Sequence, residues 1–309
     1  MIFNIKNKLY IYPNAKNHVH DSMEHYRNTV PLSEKGIKEN FIITTNPKEA
    51  DYFYMGQISN DSYSSYNRNT FKYLKDSPQN HIGDIEGEGG RPIPYWLQNS
   101  IITTMGSLKK YSNIEKLFTR PTFSHLLIDI IRNQNEKFSI PSKKSFGFRG
   151  YLNHKMRAMM LHSLHHSDFE KELHFNKKWS GPSEIGGKVQ QEYIETMKNN
   201  LISLCPRGTG IDSVRLVETC YYSRVPVLIS DDDYYLVGEE NGAHDFVFRI
   251  VGHDLNPELL REKLQIVYDT PLGELHDRAH AARQYFDSII RNYFEDPTAY
   301  FLQWLKNEY

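Results

Sequence analysis

Residues 202–233 decide the fold, and they read ISLCPRGTGIDSVRLVETCYYSRVPVLISDDD. An apolar run ending at Cys205 predicts a buried strand, and 206–211 predict a loop. Residues 212–222 predict a helix, and 226–229 a second strand. A strand, a helix and another strand in this order indicate parallel pairing through a right-handed crossover. We therefore expect an α/β protein.

The loop at 206–211 has the composition of an anion site. Its two glycines let the backbone approach a ligand closely, and Arg207 can present a planar guanidinium to phosphate oxygens. The helix that follows, with Asp212 or Ser213 as its N-cap, adds free N–H groups and a positive dipole end. Open α/β sheets bind ligands at the carboxyl ends of their strands, so we expect phosphate here.

One face of the predicted helix carries Arg215, Glu218 and Tyr222 at spacings of three and four. Glu218 lies too far along the helix to meet phosphate, but it could accept hydrogen bonds from ribose hydroxyls. Phosphate at the loop and sugar along the helix together predict a nucleotide-sugar site. In the alternative interpretation, Arg215 and Glu218 form a solvent-exposed pair worth about 0.2–0.5 kcal/mol, and Arg207 is an ordinary loop charge.

Composition excludes several classes of protein. The 309 residues include 37 Lys and Arg against 38 Asp and Glu, a balance that lacks the basic footprint of a nucleic-acid binder. Cys205 and Cys220 are too few for a disulfide framework or a zinc site, so we expect small buried hydrophobes. Without an apolar run near the roughly 18 residues of a membrane span, or a signal peptide, we expect a soluble, cytoplasmic protein.

The rest of the chain predicts a two-domain organisation. Predicted strands occupy 9–12, 41–44, 52–55, 101–104, 145–148, 201–205 and 246–251. Predicted helices occupy 66–75, 124–132, 153–165, 189–198, 257–268 and two segments after Glu274 that break at Asp296-Pro297. A Gly-rich acidic loop is expected at 83–90, and the domain boundary near 140–144.

Three runs in the deciding stretch resemble a known signature. They are LCPRG at 204–208, SVRLVE at 213–218, and a Pro-Val strand that ends in Ser230-Asp231. This pattern is similar to that of the exostosin-like glycosyltransferases, glycosyltransferase family 47, although Ser223-Arg224 stands where members often have Gly-Cys. Two weaker likenesses are NPKEADYF at 46–53 and FGFRGYLNHKMR at 146–157.

The resemblance implies a GT-B architecture, in which two Rossmann-like domains face each other across a cleft. Residues 1–142 would form the acceptor-side domain and 143–273 the nucleotide-sugar domain, with the helices of 274–309 packing back over the junction. It also implies inverting transfer of a hexosyl or pentosyl group from a nucleotide-diphosphate donor, expected to be a UDP-sugar, to a glycan hydroxyl. No cofactor or metal would be required. The residues that would line the donor site are Arg149, Arg157, Arg207, Gly208, Ser213, Arg215 and Glu218.

Inverting transfer needs a general base for the acceptor hydroxyl. GT-B acceptor domains carry the base on loops, which makes Asp84 and Glu86 in the acidic loop the candidates. A surface turn whose acids only aid solubility is an open alternative. The loop lacks the Gly-Lys-Ser/Thr ending of a phosphate-binding loop.

Two other polar clusters contain residue types that bind metal ions. Asp231-Asp232-Asp233 formally contains the Asp-x-Asp pattern of a metal site, but a solvated loop or helix cap is favoured. The histidines at 162, 165, 166, 18 and 20 have no visible further zinc ligands, which indicates surface histidines.

Three rival functions are also compatible with the sequence. The rivals are a retaining GT-B transferase, a catalytically silent partner that binds nucleotide sugar or glycan, and a phosphate-binding regulatory module. A bacterial or viral source building polysaccharide is expected, in a bacterial cell or an infected host cell. The sequence neither requires nor excludes a homo-oligomer.

Overall fold

A computed structural model gives the structure of the chain for residues 6–13, 15, 31–59, 69–86, 93, 95–105, 116–121, 123–133, 138–176, 187–208, 210, 212–239 and 244–307. The chain divides into two compact units. The first comprises Met1–Pro121, Tyr235–Val237 and Asn292–Tyr309, and the second comprises Thr122–Tyr234 and Gly238–Arg291.

The strands of the described residues are β1 (Lys8–Ile11), β2 (Ile42–Thr44), β3 (Tyr52–Ser59), β4 (His81–Glu86), β5 (Ile101–Met105), β6 (Lys116–Arg120), β7 (Phe146–Tyr151), β8 (Lys171–Asn176), β9 (Ile202–Pro206), β10 (Val225–Ser230) and β11 (Phe248–Val251). The helices are α1 (Glu34–Asn40), α2 (His125–Asn133), α3 (Lys155–His165), α4 (Lys188–Asn199), α5 (Val214–Tyr221), α6 (Pro257–Asp269), α7 (Leu272–Tyr285), α8 (Arg291–Glu295) and α9 (Pro297–Asn307). A π-helical turn, Phe286–Ile290, joins α7 to α8.

Each unit is built on one parallel sheet. The first sheet has the order β2-β1-β3-β4-β5-β6 and the second β11-β10-β9-β7-β8, and all neighbouring strands in both run parallel. Parallel neighbouring strands joined by crossover helices are characteristic of Rossmann-like units. The predicted α/β fold class is therefore confirmed, with the two Rossmann-like domains that GT-B requires.

The second unit has an apolar core that includes residues of its sheet and of its helices. β9 and β10 are buried along their whole length, as expected for central strands covered by helices on both faces. On α3, Met156, Met160 and Leu164 pack against Leu260 and Leu264 of α6. Burying each of these side chains stabilises the fold by about 1.5–3 kcal/mol.

The C-terminal helix α9 belongs to the first unit. Asp296 caps it by accepting a hydrogen bond from the backbone N–H of Ala299 at 2.9 Å, and Pro297 begins it, so the helix breaks where the sequence predicted. Phe301 and Trp304 then contact Phe118 of β6, with ring centroids 5.2 and 5.1 Å apart.

Several predicted elements are wrong. The acidic loop expected at 83–90 begins as a strand, because His81–Glu86 forms β4, while 87–90 lie outside the described residues. The helix expected at 66–75 is a series of turns over 69–76. Strands β6 and β8 carry charged residues among their apolar ones, and sequence analysis missed both.

Among the helices in the described part of the chain, none combines the length and the apolarity needed to cross a membrane.

Candidate functional site

The four predicted arginines lie around the point where the second sheet reverses its strand order. The chain passes from β7 to β8 on one side, and from β9 to β10 on the other. Because β7 and β9 are parallel neighbours, their carboxyl ends meet at one edge, and such a reversal opens a ligand crevice. Arg149 lies in β7, Arg157 on α3, Arg207 directly after β9 and Arg215 on α5.

Arg207 is fixed by its backbone and paired through its side chain. Its N–H donates to the carbonyl of Ile229 at 2.8 Å, which ties the loop to β10. Its Nη1 lies 2.5 Å from Asp231 Oδ1, and Asp231 Oδ2 lies 3.0 Å from Lys155 Nζ. Buried Nε of Arg207 has no acceptor among the described residues. The pairing with Asp231 therefore leaves one N–H of this guanidinium without a hydrogen bond in the described residues.

Arg157 depends on backbone carbonyls. Its Nη1 donates to Tyr151 at 2.7 Å and its Nε to Arg207 at 3.3 Å. Gly208 makes this close approach possible, since a Cβ there would lie 2.8 Å from Arg157 Nη2. Burial, with the positive charge of Arg215 second, lowers the pKa of Arg157 to about 10. The guanidinium is still charged at neutral pH, and a bound anion would relieve its desolvation.

Arg215 lies between two aromatic rings. Its guanidinium carbon is 4.6 Å from the ring centroid of Phe148 and 4.7 Å from that of Tyr193, and Nη2 donates to the carbonyl of Arg149. Cation–π contacts orient a guanidinium without neutralising its charge. Among the described residues, no carboxylate lies within 4.0 Å of Arg215 or Arg157. Arg149, by contrast, is paired with Glu192 at 2.7 Å.

Glu218 is buried and internally bonded. It is 4% exposed, and it accepts hydrogen bonds from Ser124 Oγ at 2.5 Å and from the Tyr193 hydroxyl. Burial raises its pKa, although these two hydrogen bonds and Arg215 act in the opposite direction. The alternative of a solvent-exposed Arg215–Glu218 pair is therefore wrong. Contact of Glu218 with ribose stays a prediction.

Ser213 is the N-cap of α5, and its side chain makes no capping hydrogen bond. Its backbone N–H donates to the hydroxyl of Tyr234 at 3.3 Å. The neighbouring Thr209 and Ile211 lie outside the described residues. Of the two predicted caps, Ser213 holds the position, at the end of the loop that carries Arg207.

The three successive aspartates all lie near basic residues, and two of them, Asp231 and Asp232, approach Arg207 Nη1 to 2.5 and 4.0 Å. Asp231 contacts Arg207 and Lys155, Asp232 lies 2.9 Å from His253 Nε2, and Asp233 lies 2.5 Å from Arg249. The expectation of a solvated loop is wrong for Asp231, whose side chain is 11% exposed. Within the described ranges, no group of three or more side chains could hold a metal ion.

The two candidate bases lie in β4, not on a loop. Asp84 is 2% exposed, accepts a hydrogen bond from Thr103 Oγ1 at 2.7 Å, and lies 3.3 Å from Arg120 Nη2. Arg120 is itself 4% exposed, so the two charges form a closed pair in the first unit. The side chain of Glu86 lies outside the described residues. The base assignment stays a prediction for both.

The remaining candidates are exposed histidines and buried cysteines. His162, His165 and His166 are exposed at the end of α3, as expected of surface histidines, and residues 18 and 20 lie outside the described part of the chain. Cys205 and Cys220 are free and fully buried, as predicted, and burial raises the pKa of Cys205 to about 11. A thiol in this environment is unsuited to act as a nucleophile.

Sequence reasoning missed several residues around the arginines: Ser124, Lys155, Glu192 and Tyr193. Lys155 stands two residues before Arg157, at the first position of α3, and that placement was a usable signal. Tyr193 and Ser124 lie in segments without a motif, and only tertiary packing brings them to Glu218.

Comparison with known proteins gives distant likenesses. No family model and no curated protein matches the chain. Among solved structures, MurG of Acinetobacter baumannii is 10% identical, with 90% of this chain and 95% of that one covered and a TM-score of 0.38. A glycosyltransferase of Rickettsia africae is 12% identical, with 96% and 98% covered and a TM-score of 0.42. An α1,3-fucosyltransferase is 11% identical, with 98% and 90% covered and a TM-score of 0.39.

TM-scores below 0.5 do not establish a shared fold, so the fold class rests on the two parallel sheets themselves. The exostosin-like signature remains a resemblance of motifs.

Proposed function

We propose that this protein is an inverting glycosyltransferase that moves a sugar from a UDP-linked donor to a hydroxyl of a glycan acceptor. One observation carries the proposal. Arginines from β7, α3, the loop after β9 and α5 gather where the strand order of the second sheet reverses, and no carboxylate of the described residues lies within 4.0 Å of Arg157 or Arg215 there. A site with surplus positive charge at this position suits a diphosphate.

The chemistry explains why the charge would be needed. In glycosyl transfer the bond between the anomeric carbon and the diphosphate oxygen breaks, and negative charge grows on the leaving group. Preorganised donors placed where that charge grows stabilise the transition state without reorganisation. Arg157 and Arg207 are held by backbone contacts before any ligand arrives, and α5 begins in the same loop.

The acceptor hydroxyl must lose its proton as it attacks the anomeric carbon. Asp84 and Glu86 are the proposed candidates for the base. Asp84 would have to exchange Thr103 or Arg120 for the acceptor hydroxyl, since these two residues contact its oxygens. Glu86 ends β4 and would act from the carboxyl end of that strand.

The proposed ligand is tested by a thermal-shift screen of UDP-, GDP- and CMP-sugars against the wild type and Arg157→Ala. Arg261→Ala is the matched control, because Arg261 is exposed on α6 of the same unit. We expect UDP-sugars to raise the melting temperature of the wild type and the control, but much less that of Arg157→Ala. Equal shifts for all three proteins, or none for any nucleotide, would overturn the proposal.

Product analysis then separates the rival functions. NMR of the product anomer distinguishes inversion, which we expect, from retention. Binding of UDP without hydrolysis or transfer to any acceptor would instead favour a silent nucleotide-sugar-binding protein. Tight binding of simple phosphate esters, with no preference for a nucleoside, would favour a regulatory phosphate module.

A further inference from the structure

Asp231 lies between the cations of the candidate site. Its Oδ1 is 2.5 Å from Arg207 Nη1, and its Oδ2 is 3.0 Å from Lys155 Nζ. Arg207 follows β9 and Lys155 begins α3, so the carboxylate bridges two segments that border the crevice between β7 and β9. The carboxylate thus uses one oxygen to contact an arginine and the other to contact a lysine. Two oxygens of a phosphoryl group could make the same two contacts.

The pairing does not use all the donors of these cations. Arg207 Nε is buried and has no acceptor among the described residues, and Lys155 is 64% exposed, so its ammonium can reach a ligand. Burial opposes ionisation of Asp231, but hydrogen bonds from Lys155 and Arg207 outweigh it and lower its pKa to about 2. Asp231 therefore carries a full negative charge at neutral pH.

We propose that Asp231 is an internal counter-anion that holds Arg207 and Lys155 when no donor is bound and competes with the donor diphosphate for them. Lys155 is then a further diphosphate-binding residue beside the four arginines. This inference rests on the proposed function and adds to it: donor affinity is set by exchange of one carboxylate for a phosphoryl group.

The proposed exchange predicts the direction in which anion affinity changes when Asp231 loses its charge. A carboxylate and a phosphate cannot accept the same N–H, and two anions held at one pair of cations repel each other. Replacing Asp231 by Asn removes the negative charge and keeps the shape of the side chain. Anions should then bind more tightly, because Arg207 and Lys155 no longer have to leave a charged partner.

Asp233 provides the matched control. It belongs to the same run of aspartates, and Asp233→Asn makes the same change of charge two residues away, but its carboxylate contacts Arg249 instead. A general effect of net charge on anion binding would appear in both variants. Competition at Arg207 and Lys155 would appear only in Asp231→Asn.

The test is calorimetric titration of inorganic pyrophosphate and of UDP into the wild type, Asp231→Asn and Asp233→Asn, each checked for a cooperative thermal transition. We expect Asp231→Asn to lower the Kd for both ligands at least fivefold, and Asp233→Asn to stay within twofold of the wild type. An unchanged or raised Kd in Asp231→Asn, while the wild type binds, overturns this inference and leaves the proposed function standing. Failure of the wild type and Asp231→Asn alike to bind either ligand overturns the proposed function as well.

Lys155→Met gives a second test that does not depend on the folding of Asp231→Asn. Removing the exposed ammonium should raise the Kd for pyrophosphate at least threefold, because the phosphoryl group loses one of its two cations. An unchanged Kd would show that Lys155 serves only Asp231, and would overturn its assignment as a binding residue.

Discussion

The two sheets share a strand order but differ in how their buried arginines are held. β2-β1-β3-β4-β5 in the first unit repeats β8-β7-β9-β10-β11 in the second. In the first sheet, Asp84 and Arg120 are both almost fully buried and paired with each other. In the second, Arg157 and Arg215 rest on carbonyls and aromatic rings. The shared topology therefore does not distinguish the units, and the distinction lies in two arginines of the second unit that have no carboxylate of the described residues within 4.0 Å.

His81 of the first sheet is buried and uncharged near neutral pH. His81 Nδ1–H donates to the carbonyl of Ser77 at 2.7 Å, and the Tyr12 hydroxyl donates to Nε2 at 2.8 Å. Its ring stacks on Phe53 with a centroid distance of 4.7 Å. Burial lowers the pKa of His81 to about 4, so it adds no charge near neutral pH. The hydrogen bonds that join His81 to Ser77 and Tyr12 are internal to the first unit, and we expect them to act on stability.

The largest expected effect is therefore on the stability of the first unit. Asp84→Ala leaves Arg120 as a buried charge without its partner and should lower the free energy of unfolding by about 3–5 kcal/mol, measured by urea denaturation. Adding Arg120→Met should recover part of this loss. Near-normal stability of Asp84→Asn, with turnover abolished, would instead assign Asp84 as the base. Glu86→Gln tests the other candidate in the same assay.

The second largest effect is on catalytic activity and comes from a residue of the second unit. Arg207→Ala should lower kcat/KM by roughly 30- to 1,000-fold, which corresponds to about 2–4 kcal/mol of lost transition-state stabilisation. Arg261→Ala, the exposed control, should keep the wild-type value. Wild-type turnover in Arg207→Ala would mean that the diphosphate lies elsewhere.

A third, smaller effect depends on pH. The unfolded chain protonates His81 near pH 6.5, whereas the folded protein resists protonation down to about pH 4. The contribution of His81 is thus fully present above pH 6.5 and is lost as the pH falls toward 4. Between pH 7 and 5 this amounts to about 2 kcal/mol, measured as the difference between the wild type and His81→Gln in urea unfolding. Parallel pH profiles for the two proteins would contradict it.

The smallest effect concerns Glu218. If its carboxylate also accepts a ribose hydroxyl, Glu218→Gln should raise the KM for the donor roughly fivefold, about 1 kcal/mol, with kcat little changed. Gln keeps one acceptor oxygen for one of the two hydroxyls, Ser124 or Tyr193, and its amide N–H can donate to the oxygen of the other, so the fold should survive. An unchanged KM would confine Glu218 to its internal hydrogen bonds.

Structure could be predicted from the sequence where all the residues that determine an element lie in one short segment. The strand, loop and helix around Arg207 were predicted because apolar runs, glycines and an N-cap follow one another directly. The same holds for the break before Pro297, since the capping Asp296 is adjacent in sequence.

Prediction failed where partners come from distant elements. The stretch GDIE at 83–86 was predicted to begin an acidic loop but belongs to β4, and Arg120, which neutralises Asp84, is 36 residues away on β6. Lys155 and Asp231 are separated by 76 residues, so no spacing in the sequence could indicate that they meet at Arg207. The surroundings of Asp84 and Asp231 therefore depend on ion pairs that form only in the folded protein.

A crystal structure of the protein soaked with UDP measures the central claim most directly. The diphosphate should lie at the carboxyl edge of β7 and β9, within hydrogen-bond distance of Arg157 and Arg207, with Asp231 released from at least one of its cations. A nucleotide bound at any other place, with the Arg207–Asp231 pair intact, would contradict the account.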